Sequence, residues 1–392
     1  MKILFITAWY PNKDNPVAGI FVREHAKAVR FCNEVVVLHS AIKTSIPKGL
    51  WQIEQETDRH ITEGIPTYRV WRRRLPIRII SYFNFIWSII RGFHHIVSTG
   101  FRPDILHANI YETGVPAVLI GKLYKIPVVI TEHSTVFSRK LLSRVGILQA
   151  IFAFGLSDLV LPVSLSLQKA IEEYRIKAKF EVVPNVVDTT LFFPITNLAY
   201  EGKPKRLLFV GLLDSSHKKG VPYLLRALAK LWQKHNDWHL DIVGDGPARK
   251  EYEQLVTDLG LKDKITFHGF RSKQEVAEFM RQADLFVLPS LFETFSVVVA
   301  EALTVGIPVL ATHCGGPEEY INEDIGLIVP PGDAGALSEG LEYMLDHLGK
   351  FNPSKISRYA IERFSPNRVG EQLHEIYLDC IKKYKRVNAT TV

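Results

Sequence analysis

Apolar runs of strand length alternate with longer segments of helical pattern along most of the chain. In the first half, the strand candidates are residues 2–7, 34–39, 105–108, 128–131 and 159–163. The second half repeats the pattern at residues 206–210, 239–243, 265–268, 285–289 and 308–312. Short buried strands separated by helices are typical of a parallel sheet that is covered on both faces. The sequence therefore predicts an α/β fold with two successive Rossmann-like domains.

The boundary between the two domains is predicted from a polar stretch at residues 194–204. It holds two prolines and a glycine and has no periodicity, which is typical of a linker. We expect domains at 1–194 and 205–365, joined by a linker at 195–204. A chain of 392 residues is long enough for two domains. Residues 366–386 then have a helical pattern.

Composition agrees with a folded, soluble protein, because 47% of the residues are hydrophobic and 23% are charged. The N-terminal apolar run is short and meets Trp9 and Pro11 rather than small residues, so a buried strand is a better interpretation than a signal peptide. The three cysteines are far apart and predict no disulfide or metal site. They suit a reducing compartment, so we expect a cytoplasmic protein.

Charge is shared unevenly between the two halves. Residues 1–197 hold 24 Lys and Arg against 15 Asp and Glu, a net charge of +9, whereas the remainder has a net charge of −2. A basic surface can face nucleic acid, an anionic membrane or an anionic substrate. Because no nucleic-acid-binding signature accompanies the charge, we predict no nucleic-acid partner.

The densest basic cluster lies in residues 72–91, where four arginines precede an uncharged run at 79–90 that is rich in Ile, Phe and Trp. Twelve uncharged residues are too few to span a membrane. Two interpretations stay open: a helix that packs on the core, and an interfacial helix that places its apolar side chains in lipid and its arginines on the headgroups. The second would put the protein on the inner face of the cell membrane.

Two carboxylates stand out in residues 288–302, where a buried strand is followed by a polar turn and an apolar helix. We predict that the helix begins near residues 294–296, which would leave the backbone N–H groups of Thr294, Phe295 and Ser296 as an anion site. Glu293 comes just before this start, and Glu301 about two turns after it. Spacing alone favours a purely structural interpretation, with Glu293 at a helix start and Glu301 exposed on the helix.

This segment resembles the Glu-x7-Glu motif of family 4 glycosyltransferases. Further blocks resemble that family in the same order, at residues 16–20, 104–109, 127–133, 158–164, 183–188, 209–211, 219–220, 244–246, 269 and 314–318. The resemblance covers nearly the whole chain. It implies the GT-B fold, in which two Rossmann-like domains face each other and a C-terminal helix, here 366–386, returns to the N-terminal domain.

The resemblance also implies roles for particular residues. Glu301 would hold the ribose hydroxyls of a nucleotide-diphosphate sugar, and Glu293 would contact the sugar. Lys219 would neutralise the diphosphate, and His133 would lie near the reacting carbon as a hydrogen-bond partner. Lys219, Glu293 and His133 are thus the candidate catalytic residues, and the donor-binding residues are Gly19, Gly211, Lys219, Glu293, Thr294, Phe295, Ser296 and Glu301. For His107 we favour a structural role.

The implied activity is transfer of a sugar, with retention, to a saccharide or a lipid-linked saccharide in surface-polysaccharide or glycolipid assembly. The chain has no Asp-x-Asp triplet, so we expect neither a metal nor another cofactor. Residues 244–246 lack the third glycine of a dinucleotide fingerprint. An epimerase or a phosphorylase fits the ordered blocks less well.

Two departures from the family pattern bear on activity. Leu212 and Leu213 stand where the family often has an arginine, so Lys218, His217 or a helix dipole would have to supply that charge. This leaves open an alternative, an inactive GT-B protein that binds a glycan or a partner. Ser296 replaces a common glycine, and we expect little effect because serine suits a helix start.

Overall fold

The computed structural model describes residues 1–43, 49–194 and 204–389, with side chains to residue 386. The chain divides into two compact units. The first unit comprises residues 1–186 and 366–392, and the second unit comprises residues 187–365. The predicted linker at 195–204 lies outside the described residues, except for Pro204.

The first unit contains a seven-stranded sheet of order β3-β4-β2-β1-β5-β6-β7. Its strands are β1 (Lys2–Thr7), β2 (Glu34–Lys43), β3 (Trp51–Gln55), β4 (Thr67–Arg73), β5 (Ile105–Asn109), β6 (Val128–Glu132) and β7 (Leu159–Pro162). Helices α1 (Ile20–Arg30), α2 (Arg59–Thr62), α3 (Arg78–Ser98), α4 (Tyr111–Tyr124), α5 (Arg144–Leu156) and α6 (Leu165–Glu172) connect them. All paired strands are parallel except β3, which runs antiparallel to β4 at the edge.

The second unit contains a six-stranded parallel sheet of order β10-β9-β8-β11-β12-β13. Its strands are β8 (Lys205–Val210), β9 (Trp238–Val243), β10 (Ile265–Gly269), β11 (Leu285–Leu288), β12 (Val309–Thr312) and β13 (Gly326–Val329). The helices are α7 (Val221–Leu231), α8 (Arg249–Asp258), α9 (Lys273–Gln282), α10 (Val297–Val305), α11 (Ala334–Asp346) and α12 (Pro353–Phe364). The prediction of two Rossmann-like α/β domains is confirmed.

The second unit begins earlier than predicted, at Val187 rather than at residue 205. The Val187 N–H donates to the Phe364 carbonyl (2.9 Å), and Arg281 donates to the Leu191 carbonyl (3.1 Å). These hydrogen bonds hold the approach to the linker against the second unit. The polar composition of residues 195–204 predicted the domain boundary there. The hydrogen bonds of Val187 and Leu191 show that residues before this stretch already belong to the second unit.

The last helix, α13 (Pro366–Ala389), packs on α1 in the first unit. Its buried Leu373 and Tyr377 join Val22 and Ala26 of α1 in one apolar core. The helices come so close at Gly370 that a Cβ atom there would lie 2.3 Å from the Ala28 carbonyl oxygen. Both ends of the chain therefore contribute to the core of the first unit.

His107 has the structural role that we favour from the sequence. It is fully buried on β5, where Nδ1 bonds the Tyr377 hydroxyl and Nε2 bonds the Thr131 hydroxyl, each at 2.6 Å. Burial holds its pKa well below the ordinary value, so the ring is neutral. A neutral imidazole thus joins α13 to two neighbouring strands.

Candidate functional site

In the second unit, the turn after β11 brings Glu293 and Lys219 together. The Lys219 ammonium donates to Glu293 Oε1 at 2.7 Å, and the Ser290 hydroxyl donates to the same oxygen at 2.8 Å. Only 8% of Glu293 is exposed. Its backbone N–H donates to the Cys314 carbonyl, and its own carbonyl accepts from Gly316 N–H. The carboxylate is therefore fixed by its backbone as well as by its side chain.

Lys219 is positioned by the glycine that follows it. Gly220 has a φ of +68° and precedes α7, and a Cβ atom there would lie 1.8 Å from the Pro289 carbonyl oxygen. Only glycine permits this approach of the two loops. The Leu291 N–H also donates to the Lys218 carbonyl at 2.7 Å. Because an ammonium has three N–H donors, Lys219 can hold Glu293 and still donate to a phosphate.

Helix α10 begins at Val297 with Ser296 as its N-cap, at the late end of the predicted start near residues 294–296. Phe295 packs against Tyr320 and Phe364, and its carbonyl accepts from the Tyr320 hydroxyl at 2.6 Å. A buried aromatic side chain held in this way keeps the turn out of the helix. The N–H groups that lack an intrahelical acceptor at this end are those of Ser296, Val297 and Val298. Of the three predicted groups, Ser296 is at the helix start, and Thr294 and Phe295 are in the turn before it.

Ser296 precedes α10 in the left-handed conformation, with a φ of +65°. Its side chain forms no capping hydrogen bond, and its buried hydroxyl has no hydrogen-bond partner among the described residues. The expectation that serine suits this position as a helix start is therefore wrong. A side chain in this backbone region costs about 1–2 kcal/mol, which explains why glycine is the more favourable residue here.

Glu301 is buried, with 6% of its surface exposed, so the structural interpretation of Glu301 as an exposed helix residue is wrong. It lies one turn into α10 rather than two, because the helix begins later than predicted. Positions four apart lie on the same face of a helix, so Glu301 follows Val297 along one side of α10. A nearly buried carboxylate in this position can accept hydrogen bonds from vicinal hydroxyls.

The structure shows what surrounds the position of the absent arginine. Leu212 is 56% exposed after Gly211, whereas Leu213 is fully buried in the core of the second unit. Lys218 lies 3.7 Å from Asp214, and His217 Nδ1 bonds the Tyr252 hydroxyl at 2.8 Å. Both cationic candidates are thus engaged by neighbours. The remaining candidate is the helix dipole, and α7 and α10 both begin next to the Lys219–Glu293 pair.

The glycines of the residues 244–246 loop serve loop packing. A Cβ atom on Gly244 would lie 1.9 Å from the Gly211 carbonyl oxygen, and one on Gly246 would lie 2.3 Å from the Leu213 carbonyl oxygen. Gly211 N–H also donates to the Val243 carbonyl at 3.0 Å. The loops after β8 and β9 therefore lie backbone against backbone.

In the first unit, α1 brings Gly19 and His133 to the same end of the sheet. Gly19 precedes α1 with a φ of +63°, and a Cβ atom there would lie 2.2 Å from the Trp9 carbonyl oxygen. Two residues later, Phe21 packs on the His133 ring with centroids 4.4 Å apart. The glycine is required by the protein's own backbone, whatever ligand approaches the loop.

His133 follows β6 and is 7% exposed. Its Nε2 lies 3.4 Å from Asn109 Oδ1. Burial, followed by the nearby His25 and His107, holds its pKa well below the ordinary value. His133 is therefore a neutral hydrogen-bonding group rather than a cation.

Glu132 is a residue to which the sequence assigned no role. Its fully buried carboxylate accepts hydrogen bonds from the N–H groups of Tyr111, His133 and Ser134 and from the Ser134 hydroxyl, at 2.7–3.0 Å. Burial raises its pKa to about 7, and the donated hydrogen bonds oppose that shift. This carboxylate joins the loops after β5 and β6 and so positions His133. The sequence feature that could have indicated this role is a glutamate directly after the predicted strand at residues 128–131.

The segment 72–91 forms the end of β4 and most of α3. The inner face of α3 is buried through Phe85, Ile89 and Phe93. Its outer face exposes large apolar side chains: Ile79, Ile80, Phe83 and Trp87. The interpretation of a helix that packs on the core thus describes the inner face, and the outer face is the one that an interfacial helix would present. No helix in the described part of the chain is long and apolar enough to cross a bilayer.

A second helix on the same side of the sheet, α5, also exposes apolar side chains. Helix α4 packs between α3 and α5, and all three cover one face of the sheet because their crossovers run in the same direction along the strand order. Exposed apolar residues on α5 are Val145, Leu148, Ile151, Phe152 and Leu156. The sequence pattern of α5 did not single it out.

Comparison with known proteins identifies the family. A model described as Glycosyltransferase Family 4 matches residues 20–191, and one described as Glycosyl transferases group 1 matches residues 195–363. The chain belongs to the family 4 glycosyltransferases. The two matches cover the first and second units in turn, and the chain is thus a glycosyltransferase.

Relatives and solved structures agree with this assignment. An uncharacterized glycosyltransferase of Methanocaldococcus jannaschii is 26% identical, with 96% of this chain and 98% of the relative covered. TuaC of Bacillus subtilis, a glycosyltransferase named for teichuronic acid biosynthesis, is 28% identical, with 96% and 93% covered. The structure of Anabaena HepE in complex with UDP superposes with a TM-score of 0.74 at 21% identity, covering 97% of this chain and 100% of that one. The fold is GT-B.

Proposed function

We propose that this glycosyltransferase takes a sugar from a nucleotide-diphosphate sugar and transfers it with retention of configuration. The observation that carries the proposal is the Lys219–Glu293 pair, 2.7 Å apart, beside the starts of α7 and α10. Glu293 offsets part of the Lys219 charge, but the ammonium keeps N–H donors for a phosphate, and the positive ends of α7 and α10 add to its field. A leaving diphosphate gains negative charge as its bond to the sugar breaks, and such a site stabilises that charge.

The two glutamates support donor binding rather than double displacement. Glycosidases that retain configuration place two carboxylates on opposite sides of the bond. Here Glu293 and Glu301 belong to the same turn-and-helix segment of the second unit. We infer that Glu293 accepts hydrogen bonds from the sugar and that Glu301 accepts them from the ribose. The acceptor hydroxyl would attack on the face that the diphosphate leaves, through an oxocarbenium-like transition state.

Assignments that rest on the family resemblance remain part of the proposal. They give His133 and Gly19 to the donor sugar and its diphosphate, and the neutral His133 ring suits a hydrogen-bonding role. We also propose that the reaction needs no metal. Addition of EDTA should then leave the rate unchanged.

The acceptor that we propose is a lipid-linked saccharide in surface-polysaccharide or glycolipid assembly, at the inner face of the cell membrane. The apolar outer face of α3 and the arginines before it support this location. Relatives named for polysaccharide assembly, such as TuaC, support the pathway class.

The decisive experiment is incubation of the purified chain with a panel of nucleotide sugars, followed by NMR of the released or transferred sugar. We expect one nucleotide sugar to be hydrolysed slowly without acceptor and the first-formed sugar to keep its anomeric configuration. An inverted product would overturn the retaining mechanism.

One observation favours a second candidate, an inactive GT-B protein that binds a glycan or a partner. Leu212 presents an exposed apolar side chain where the family resemblance implies a cation. A binding protein of this kind would release no nucleotide from any donor in the same panel.

A further inference from the structure

A cavity of about 500 Å³ opens in the first unit, at the edge of the sheet where the parallel strands end. Its lining includes Arg72, Arg74, Arg78, Tyr82, Glu112 and Gln149. Arg72 lies at the end of β4, and Glu112 lies in the first turn of α4 after β5. Ligands of open α/β sheets bind at this edge. The volume is in the range of small-molecule sites.

The cavity has more positive charge than the protein itself neutralises. None of the three arginines forms a close ion pair in the described part of the chain, and Glu112 is the carboxylate whose charge acts on Arg72. The buried Arg72 Nε has no hydrogen-bond partner among the described residues. The Arg72 guanidinium lies 5.0 Å from the centre of the Phe85 ring, which holds it in place. Unpaired guanidinium groups are suited to phosphate, which they can bind through two N–H donors.

The start of α3 adds to this positive field. Arg78 is the first residue of the 21-residue helix, and the first helical N–H to donate within it is that of Ser81, to the Ile77 carbonyl. The N–H groups before Ser81 therefore have no intrahelical acceptor. Arg78 and Ser81 both line the cavity, so the helix dipole and the arginines favour an anion in the same place.

The other side of the cavity suits hydroxyl groups. Glu112 accepts a hydrogen bond from the Tyr111 hydroxyl at 3.3 Å, and burial raises its pKa while Arg72 lowers it. The buried Tyr82 hydroxyl has no partner that meets hydrogen-bond geometry in the described structure. A carboxylate, a phenol and the Gln149 amide together supply acceptors and donors for a sugar.

Apolar surface borders the cavity on the outside. Ile77 just before α3, and Ile79 and Phe83 on its first turns, are exposed next to the cavity residues. Gln149 follows the exposed Leu148 on α5. A ligand that places polar groups in the cavity can therefore continue as a hydrocarbon chain along α3 and α5.

We propose that this cavity binds the acceptor, and that the acceptor is an amphiphile in which a phosphate joins a hydrocarbon chain to the saccharide. The inference rests on the proposed function and names its acceptor class. The arginines and the start of α3 would hold the phosphate, Glu112 and Tyr82 would hold sugar hydroxyls, and the exposed faces of α3 and α5 would contact the chain.

The test is direct binding to the purified full chain by calorimetry. The four probes are farnesyl phosphate and farnesol, each at a concentration at which it stays monomeric, and inorganic phosphate and glucose 1-phosphate. Farnesyl phosphate should bind at least about tenfold more tightly than each of the other three, since only it offers both an anion and a chain. Equal affinity for farnesol would overturn the phosphate site. Equal affinity for inorganic phosphate or glucose 1-phosphate would overturn the role of the chain.

Variants identify the site. Arg72→Gln combined with Arg78→Gln should weaken farnesyl phosphate binding at least about tenfold, and Arg78→Gln alone, at an exposed position, should weaken it severalfold. Arg102→Gln, an exposed arginine at the opposite edge of the sheet, is the matched control and should bind as the wild type does. Wild-type affinity in both pocket variants would reject the proposal.

The experiments distinguish failure of the proposed glycosyl transfer from failure of the proposed acceptor cavity. The residues proposed to bind the donor, Lys219, Glu293, Glu301, Gly19 and His133, do not line the cavity. Nucleotide binding should therefore be unchanged in the pocket variants. A chain that binds farnesyl phosphate through Arg72 and Arg78 but hydrolyses no donor keeps the phosphate site and loses the glycosyltransfer. A chain that hydrolyses a donor but binds farnesyl phosphate no better than farnesol keeps the enzyme and loses this acceptor.

Discussion

At the scale of single residues, Lys219 and Glu293 have different tasks although they contact each other. Lys219 adds positive charge where a leaving diphosphate would gain negative charge, so its effect grows towards the transition state. Glu293 and Glu301 offer acceptors to hydroxyls that are present before and after the reaction. Ground-state binding and turnover should therefore respond to different substitutions.

We predict that Lys219→Ala lowers kcat by roughly 10²-fold, the typical effect of removing one preorganised donor from a developing charge. Glu301→Ala should instead weaken nucleotide binding by about tenfold. The measurements are steady-state kinetics with the active donor and calorimetry with the nucleoside diphosphate. Lys262→Ala, an exposed lysine on the second unit, is the control. Wild-type values for both site variants would reject the assignment.

Ser296 tests the backbone of the same site. Because it holds a side chain at a φ of +65° and a buried hydroxyl without a partner among the described residues, we predict that Ser296→Gly raises the free energy of unfolding by roughly 1 kcal/mol. Ser296→Ala keeps the strained backbone and removes only the hydroxyl, so it should gain less. Urea unfolding of the three proteins measures the difference. A destabilised glycine variant would show that the left-handed conformation is not strained.

At the scale of elements, α3 shows why periodicity left two interpretations open. The helix needs an apolar inner face for the sheet, and it carries a second apolar set on the outside. The two sets together remove the clear alternation of polar and apolar faces on which a sequence pattern depends. The structure separates them, because burial assigns each residue to one face.

We predict that the outer face of α3 binds anionic membranes. Phe83→Ser combined with Trp87→Ser should weaken binding to phosphatidylglycerol vesicles by about tenfold or more, since each exposed aromatic would lose its contact with lipid. Co-sedimentation at low and high salt measures the effect, and salt should weaken the contribution of the arginines.

Phe31→Ser is the matched control for this prediction. Phe31 is an exposed phenylalanine at the end of α1, on the other face of the same sheet. Its substitution should leave vesicle binding unchanged. Equal binding by the wild type and the α3 double variant would contradict an interfacial role for this helix.

Sequence reasoning missed β3, β4 and β13. Strand β13 has only four residues and lies at the edge of the second sheet. Strand β3 lies at the edge of the first sheet, and β4 contains a fully buried Arg69. Arg69 is tolerated there because it pairs with Glu56 at 2.8 Å and donates to the Pro11 carbonyl. An apolar pattern cannot reveal a buried charge whose partners come from elsewhere in the chain. Inner strands also hold buried carboxylates, at Glu132 of β6 and Asp241 of β9, but the other residues of these strands are mostly apolar, so their predictions hold.

At the scale of the whole molecule, the α/β class, the two-unit organisation and most central strands follow from the sequence. The Lys219–Glu293 contact does not, because it depends on a loop packing that Gly220 permits and that no spacing reveals. The start of α10 also depends on a distant residue, since Tyr320 holds Phe295 outside the helix. The phosphate cavity joins residues from β4, α3, α4 and α5. The composition of residues 72–91 thus indicated a basic segment. Only the packing of this segment on α4 and α5 shows that its arginines line a cavity.

The contribution of α13 to the first unit has a consequence for the order of synthesis. A ribosome completes residues 1–186 well before it reaches Pro366, and at ordinary elongation rates the delay is on the order of ten to forty seconds. Throughout that interval, the apolar side of α1 that Leu373 and Tyr377 later cover has no cover from α13. The second unit is continuous in the chain and can complete its own core first. A premature stop codon just before Pro366 would remove α13 altogether. The second unit would then be intact, whereas the uncovered core of the first unit would be exposed to chaperones and proteases.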